Sequence, residues 1–111
     1  VLTEAGHADE AVELLRPLAD AGRLDPNQVF KLTRMLMFAG HLEEAQLRAR
    51  RLLAARPESP TLWERIAQTK TFAPGDPDIG TMRRLFAQTP ESRPAARSAI
   101  AAALAKACVD V

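Results

Sequence analysis

The side chains best suited to chemistry are two histidines and one cysteine. His7 and His41 are the only histidines in the chain and lie 34 residues apart. If that separation is one helical repeat, the imidazoles lie about 10 Å apart, which is too far to share a metal ion. Cys108 has no histidine near it in the sequence, which favours a packed small apolar side chain over a nucleophile. We therefore predict no catalytic residue and no metal site.

A second candidate is the arginine cluster of Arg48, Arg50 and Arg51, which could bind an anion. The net charge of the chain is only +1, so a solvated helix end is the favoured interpretation of these side chains. Glu10 and Glu44 are expected to be solvated acids at helix starts. No glycine-rich phosphate-binding pattern occurs in the chain, and no cofactor is predicted.

Composition indicates one domain that spans residues 1–111. Hydrophobic residues make up 47% of the chain, which is enough for a core and disfavours disorder. The nearly neutral charge and the absence of a long apolar run argue against nucleic-acid and membrane partners. One cysteine excludes a disulfide framework. We expect a cytoplasmic protein, although both ends of the sequence are interpreted as cuts through a longer chain.

The elements that would position these side chains follow from an internal repeat. Residues 5–11 recur at residues 39–45, a shift of 34 positions, and the same shift aligns further pairs. The aligned pairs are Gly6 and Gly40, Ala11 and Ala45, Leu18 and Leu52, Val29 and Trp63, and Leu32 and Ile66. A fixed period of this length is typical of helical repeat proteins.

This period and these residues resemble the tetratricopeptide repeat, whose unit is a pair of antiparallel helices, A and B. The resemblance implies an all-α, antiparallel helix-pair solenoid of about three 34-residue repeats. Its units would cover about residues 1–25, 26–59 and 60–92, with a partial unit at 93–111. The positions expected to carry the repeat are Gly6, Ala11, Leu32, Gly40, Ala45, Leu52, Pro57 and Trp63.

The hydrophobic pattern independently predicts helices. Val29, Leu32 and Leu36 lie on one face of a helix, and Gly40 permits a left-handed turn at its end. Further helices are expected at 60–72, at 77–88 after an Asp76 N-cap, and at 93–109. Pro17 lies inside the helix predicted at 9–21 and should kink it or end it early.

The tetratricopeptide resemblance implies that helix A of each unit lines an inner groove. The groove candidates are Asn27, Phe30, Lys31, Arg34, Met37 and Phe38 in the second unit, and Thr61, Glu64, Arg65, Gln68, Thr71 and Phe72 in the third. Their apolar and cationic side chains favour a protein or peptide partner, in particular an acidic one. The alternative is that they pack against neighbouring helices. The asparagine pair of the family's terminal-carboxylate clamp is not matched.

A second resemblance keeps another function open. Residues 69–82 and 103–107 are similar to the last repeats before the catalytic domain in bacterial tetratricopeptide–sulfotransferase fusions. This similarity implies an accessory domain, with the catalytic domain after residue 111. Binding of single-stranded RNA by a helical repeat is a weaker third hypothesis, because the groove lacks a basic stripe.

The last helix carries an expectation of its own. In a solenoid, a unit buries its apolar face only against the next unit. We therefore expect Ile100, Leu104 and Cys108 to expose an apolar stripe that self-associates or docks onto a missing C-terminal domain.

Overall fold

The computed structural model describes residues 4–111, which form α-helices joined by short connections. The helices are α1 (Glu4–Asp20), α2 (Pro26–Phe38), α3 (Leu42–Ala55), α4 (Pro60–Thr69), α5 (Pro77–Gln88) and α6 (Pro94–Asp110). No strand occurs in this part of the chain, so the predicted all-α class is confirmed. None of these helices combines the length and apolarity that crossing a membrane requires.

Proline and glycine set the helix ends, as the sequence predicts. Proline occupies the first turn of α2, α4, α5 and α6, where its missing N–H costs no hydrogen bond. The Asp76 carboxylate accepts from the backbone N–H of Asp78 at 2.9 Å, which confirms the predicted cap. Gly40 has a φ of 89°, and the N–H of His41 donates to the carbonyl of Leu36 at 2.8 Å. The left-handed turn predicted at Gly40 is therefore confirmed.

Pro17 and His7 both lie within α1. Pro17, expected to kink the helix or to end it early, does not end it early, because α1 continues to Asp20. The Pro17 carbonyl still accepts the N–H of Ala21 at 3.0 Å, which closes the last turn. Gly6 and His7 lie within α1, whereas His41 is the N-cap of α3. The two histidines therefore do not occupy equivalent turns.

The core has two parts. Val12, Leu32, Leu36 and Ala45 join α1, α2 and α3. The larger part joins α3, α4, α5 and α6 and is centred on buried side chains that include Trp63, Ile66, Met82 and Ile100. Trp63 is 5% exposed, and its indole N–H donates to the carbonyl of Pro57 at 3.0 Å. The single tryptophan of the chain therefore lies in the core.

The last helix does not present the predicted apolar stripe. Helix α6 packs against α4 and α5, and this packing buries Ile100 completely and Leu104 in part. Cys108 is exposed, as expected for this stripe, so the expectation that it is a packed apolar side chain is wrong. The large apolar side chain that α6 leaves in solvent is Val109, which is 85% exposed.

The connection between α4 and α5 is fixed by polar contacts. Helix α4 ends at Thr69, three residues before the predicted end, because the chain turns there and buries Phe72 in the core. The N–H of Phe72 donates to the Asp110 carboxylate at 3.0 Å. Lys70 Nζ bridges Asp76 at 2.6 Å and Asp78 at 2.9 Å. Phe72 is therefore a core residue and does not line a groove, contrary to the expectation.

Ion pairs between helices recur at the repeat spacing. Arg16 Nη2 lies 2.7 Å from Glu44 Oε1 and joins α1 to α3. Arg50 Nη2 lies 2.6 Å from Asp78 Oδ2 and joins α3 to α5. Shifting Arg16 and Glu44 by 34 positions gives Arg50 and Asp78. The Glu44 side chain is only 28% exposed, and the hydrogen bond from Arg16 lowers its pKa. Glu44 is therefore not the solvated acid that was expected.

The three arginines of the cluster at residues 48–51 differ in their partners and in their exposure. Arg48 is 10% exposed and contacts Asp20 at 2.8 Å and Glu44 at 3.1 Å. Burial acts to lower the pKa of Arg48, but the hydrogen bonds to these two carboxylates outweigh it and raise the pKa. Arg50 pairs with Asp78, and Arg51 is exposed. The expectation of a solvated cluster is wrong for Arg48 and Arg50, because each neutralises an acid on another helix.

Candidate partner-binding groove

Helices α2 and α4 begin with similar local structures 34 residues apart. The Asp25 carboxylate accepts from the N–H of Gln28 at 2.8 Å, and the Gln28 side chain accepts from the N–H of Asp25 at 2.9 Å. The Ser59 hydroxyl accepts from the N–H of Leu62 at 3.4 Å. Pro26 and Pro60 follow these caps at the first helical position. Caps of this kind satisfy N–H groups of the first turn and fix the residue at which each helix begins.

Each of these helices buries one face and exposes another. The inward side chains are Leu32, Thr33 and Leu36 on α2, and Leu62, Trp63, Ile66 and Ala67 on α4. Among the predicted groove candidates, Asn27, Lys31, Arg34, Phe38 and Gln68 are exposed, and Phe30 and Arg65 are half-buried. Phe30 also packs against the larger core. The half-buried Phe30 side chain therefore packs against the core and also remains available to line a groove.

The cationic pocket is the first of two concavities between these helices. It has a volume of about 410 Å³. Its lining residues are Arg34, Met37, Phe38, Leu42, Arg65 and Gln68. Five of the twelve predicted groove candidates (Arg34, Met37, Phe38, Arg65 and Gln68) therefore meet in one place.

Aromatic rings hold both arginines of the cationic pocket. The Arg65 guanidinium lies 4.4 Å from the centroid of Phe30, and the Arg34 guanidinium lies 5.4 Å from the centroid of Phe38. Arg65 Nη1 also approaches the sulfur of Met37 at 3.4 Å. Such stacking orients a guanidinium and leaves its edge free to donate hydrogen bonds.

The charge of the cationic pocket is not neutralised. Among the side chains of residues 7–111, no carboxylate forms an ion pair with Arg34 or Arg65. The Nε of Arg65 is buried and makes no hydrogen bond to any described residue. Burial and then repulsion from Arg34 lower the pKa of Arg65, against a smaller attraction from Glu64. The pocket is a site where added negative charge is favourable.

The apolar pocket is the second concavity, with a volume of about 250 Å³. It lies where the starts of α2 and α4 meet the end of α3. Its lining residues are Pro26, Asn27, Phe30, Leu52, Ala55, Arg56, Ser59, Thr61 and Leu62. Three predicted candidates, Asn27, Phe30 and Thr61, line it. We call the two concavities together the α2–α4 groove.

Some lining residues were not predicted. Leu42 is 44% exposed and lines the cationic pocket. It replaces Ala8 at the repeat shift, and this departure was the signal that could have identified it. Leu52 was expected to be a structural position, and it is half-buried and also lines the apolar pocket. Lys31, although exposed, lines neither pocket.

None of the family profiles, curated proteins or solved structures with which the chain was compared matches it. Its function is therefore inferred from the geometry and charge of the α2–α4 groove.

Proposed function

We propose that this chain is a protein-interaction module of the tetratricopeptide type, a solenoid of antiparallel helix pairs without catalytic activity of its own. Its ligand is an acidic peptide segment of a partner protein, bound in the α2–α4 groove. The repeated ion pairs Arg16–Glu44 and Arg50–Asp78 support the repeat architecture. The first pair joins α1 to α3 and the second joins α3 to α5, so the same contact recurs after 34 residues. Stacked identical units would require such a recurrence.

The observation that carries the proposed ligand is the state of Arg65. Its guanidinium is half-buried, stacked on Phe30, and without a carboxylate partner among the described residues. A partly desolvated, unpaired cation costs free energy that a bound carboxylate would recover. Arg34 contributes a second positive charge to the same pocket. Two such cations favour acidic side chains over neutral ones.

The size of the effect follows from hydrogen bonding. A hydrogen bond to a charged group contributes about 1.5–3 kcal/mol. Loss of one arginine should therefore reduce the affinity for an acidic peptide by roughly tenfold to a hundredfold. Added salt should weaken binding too, because the pocket is open to solvent and its charges are screened.

The test is fluorescence anisotropy with labelled peptides that are matched in length and differ in charge. Acidic peptides should bind more tightly than neutral and basic ones. Arg34→Gln and Arg65→Gln should each reduce that affinity, whereas Arg84→Gln should not, since Arg84 is exposed on α5 and lines neither pocket. Circular dichroism checks that each variant is folded. Equal affinity for acidic and neutral peptides, or tighter binding of single-stranded RNA, would contradict the proposal.

A further inference from the structure

The two pockets of the α2–α4 groove are arranged in the same order on both helices. On α2, Asn27 lines the apolar pocket and Arg34 lines the cationic pocket, seven residues later. On α4, Thr61 and Gln68 line the same two pockets and are also seven residues apart. Seven residues are nearly two helical turns, so each pair lies on one face and about 10 Å apart along its helix. The two helices therefore run in the same direction along the groove.

The two pockets meet at a single wall. Phe30 lines the apolar pocket, and Arg65, which stacks on its ring at 4.4 Å, lines the cationic pocket. A ligand that crosses this wall leaves a mainly apolar surface, which includes Leu52 and Leu62. It then reaches two guanidinium groups that have no carboxylate partner in the part of the chain that the structure describes. Each side of the wall thus selects a different kind of side chain.

The spacing of the pockets sets a spacing in the ligand. In the extended polyproline II conformation a peptide has three residues per turn and advances about 3.1 Å per residue, so side chains three residues apart lie on one side of it about 9 Å apart, close to the spacing of the pockets. We propose that the groove recognises an extended segment in which one large apolar side chain and one acidic side chain lie three residues apart. The apolar side chain enters the pocket beside Leu52 and Leu62, and the carboxylate pairs with Arg34 and Arg65. This inference rests on the proposed function, because it assumes an acidic peptide ligand.

The experiment measures affinity against spacing. Labelled serine–glycine peptides carry one leucine and one aspartate, placed one to five positions apart along the chain and in both orders. Anisotropy should show the tightest binding at a separation of three, by about tenfold over a separation of one. Control peptides carry the aspartate without the leucine.

Matched variants identify the apolar pocket. Ala55→Phe places a ring in that pocket, since Ala55 lines it and is exposed at the end of α3. This variant should bind every peptide only as tightly as the one without leucine. Ala54→Phe is the control, because Ala54 is also exposed on α3 and does not line the pocket. It should retain the preference for a separation of three.

The possible outcomes separate the two proposals. If aspartate-containing peptides bind but affinity does not depend on the spacing, the two-pocket inference is wrong and the acidic-peptide function stands. The same conclusion follows if Ala55→Phe leaves the preference unchanged. If no acidic peptide binds more tightly than a neutral one, the proposed function itself is wrong and the inference is overturned with it.

Discussion

Two glycines in this chain should respond in opposite directions to the same substitution. Gly40 lies in the turn between α2 and α3 with a φ of 89°. Gly80 lies within α5, where its φ is not in the left-handed region. A Cβ atom built at either position meets no heavy atom within 4 Å. Replacement by alanine therefore tests backbone conformation alone, without a steric clash.

The expected magnitudes follow from this difference. An alanine in the left-handed region costs about 1–2 kcal/mol, and restriction of the unfolded chain offsets about 0.4–1 kcal/mol of it. Gly40→Ala should thus reduce the free energy of unfolding by about 1 kcal/mol. Gly80→Ala should increase it by about 0.5–1 kcal/mol, because glycine is unfavourable inside a helix. For a chain of this size, 1 kcal/mol corresponds to a change in Tm of about 4 °C.

Urea denaturation and thermal melting, both followed by circular dichroism, give these values directly. The free energy of unfolding should be lower than that of the wild type for Gly40→Ala and higher for Gly80→Ala, with a difference of about 1.5–2 kcal/mol between the two variants. A shift of both in the same direction would refute the conformational explanation. A neutral Gly40→Ala variant would mean that the turn after α2 does not need glycine.

Three further predictions concern the core and the ion pairs. Trp63→Ala should destabilise the protein by about 3–5 kcal/mol in urea, since the side chain is buried; a loss below about 1 kcal/mol would contradict its place in the core. The hydrogen bond from Arg16 lowers the pKa of Glu44 in the folded protein. The Glu44 carboxylate therefore stabilises the fold when the pH is above its ordinary pKa of 4.5, and this stability is lost as the pH falls through the lower pKa of the folded state. Glu44→Gln should therefore give a shallower loss of unfolding free energy in acid than the wild type, and an equal slope would count against the pair. Asp110→Ala should accelerate amide hydrogen exchange at Phe72, measured by NMR, whereas unchanged protection would show that the N–H has another acceptor.

Local signals in the sequence predicted much of the fold. The turn at Gly40, the cap at Asp76 and the prolines at the helix starts follow from residue types whose backbone preferences act within a few positions. Trp63, at a position expected to carry the repeat, lies in the core. These features need no knowledge of which helices are neighbours.

The errors have a common origin in contacts between distant residues. Gly6 and Gly40 begin nearly identical segments, but Gly40 has α2 before it and must reverse the chain, whereas Gly6 lies inside α1. Glu44 and Arg48 look like surface charges on α3 until α1 supplies their partners 28 residues earlier. Sequence periodicity alone does not distinguish a solvated charge from one that bridges two helices.

The same limit applies to the candidate groove. The sequence identified Arg34 and Arg65 as groove residues, but it did not indicate that aromatic rings hold them or that both lack carboxylate partners among the described residues. The apolar pocket depends on the end of α3 lying beside the starts of α2 and α4. Such a junction becomes visible only when the helices are packed together.

The chain also contains its own optical reporter. It has one tryptophan and no tyrosine, so its intrinsic emission comes from Trp63. The indole N–H of Trp63 donates a hydrogen bond to the Pro57 carbonyl. Leu62, the residue before Trp63, lines the apolar pocket. A change in the emission maximum or in the quenching of this fluorescence therefore reports on one location, where the core meets the apolar pocket of the groove. Occupation of the groove and local opening of α4 can both be followed in the unmodified protein, without an attached dye.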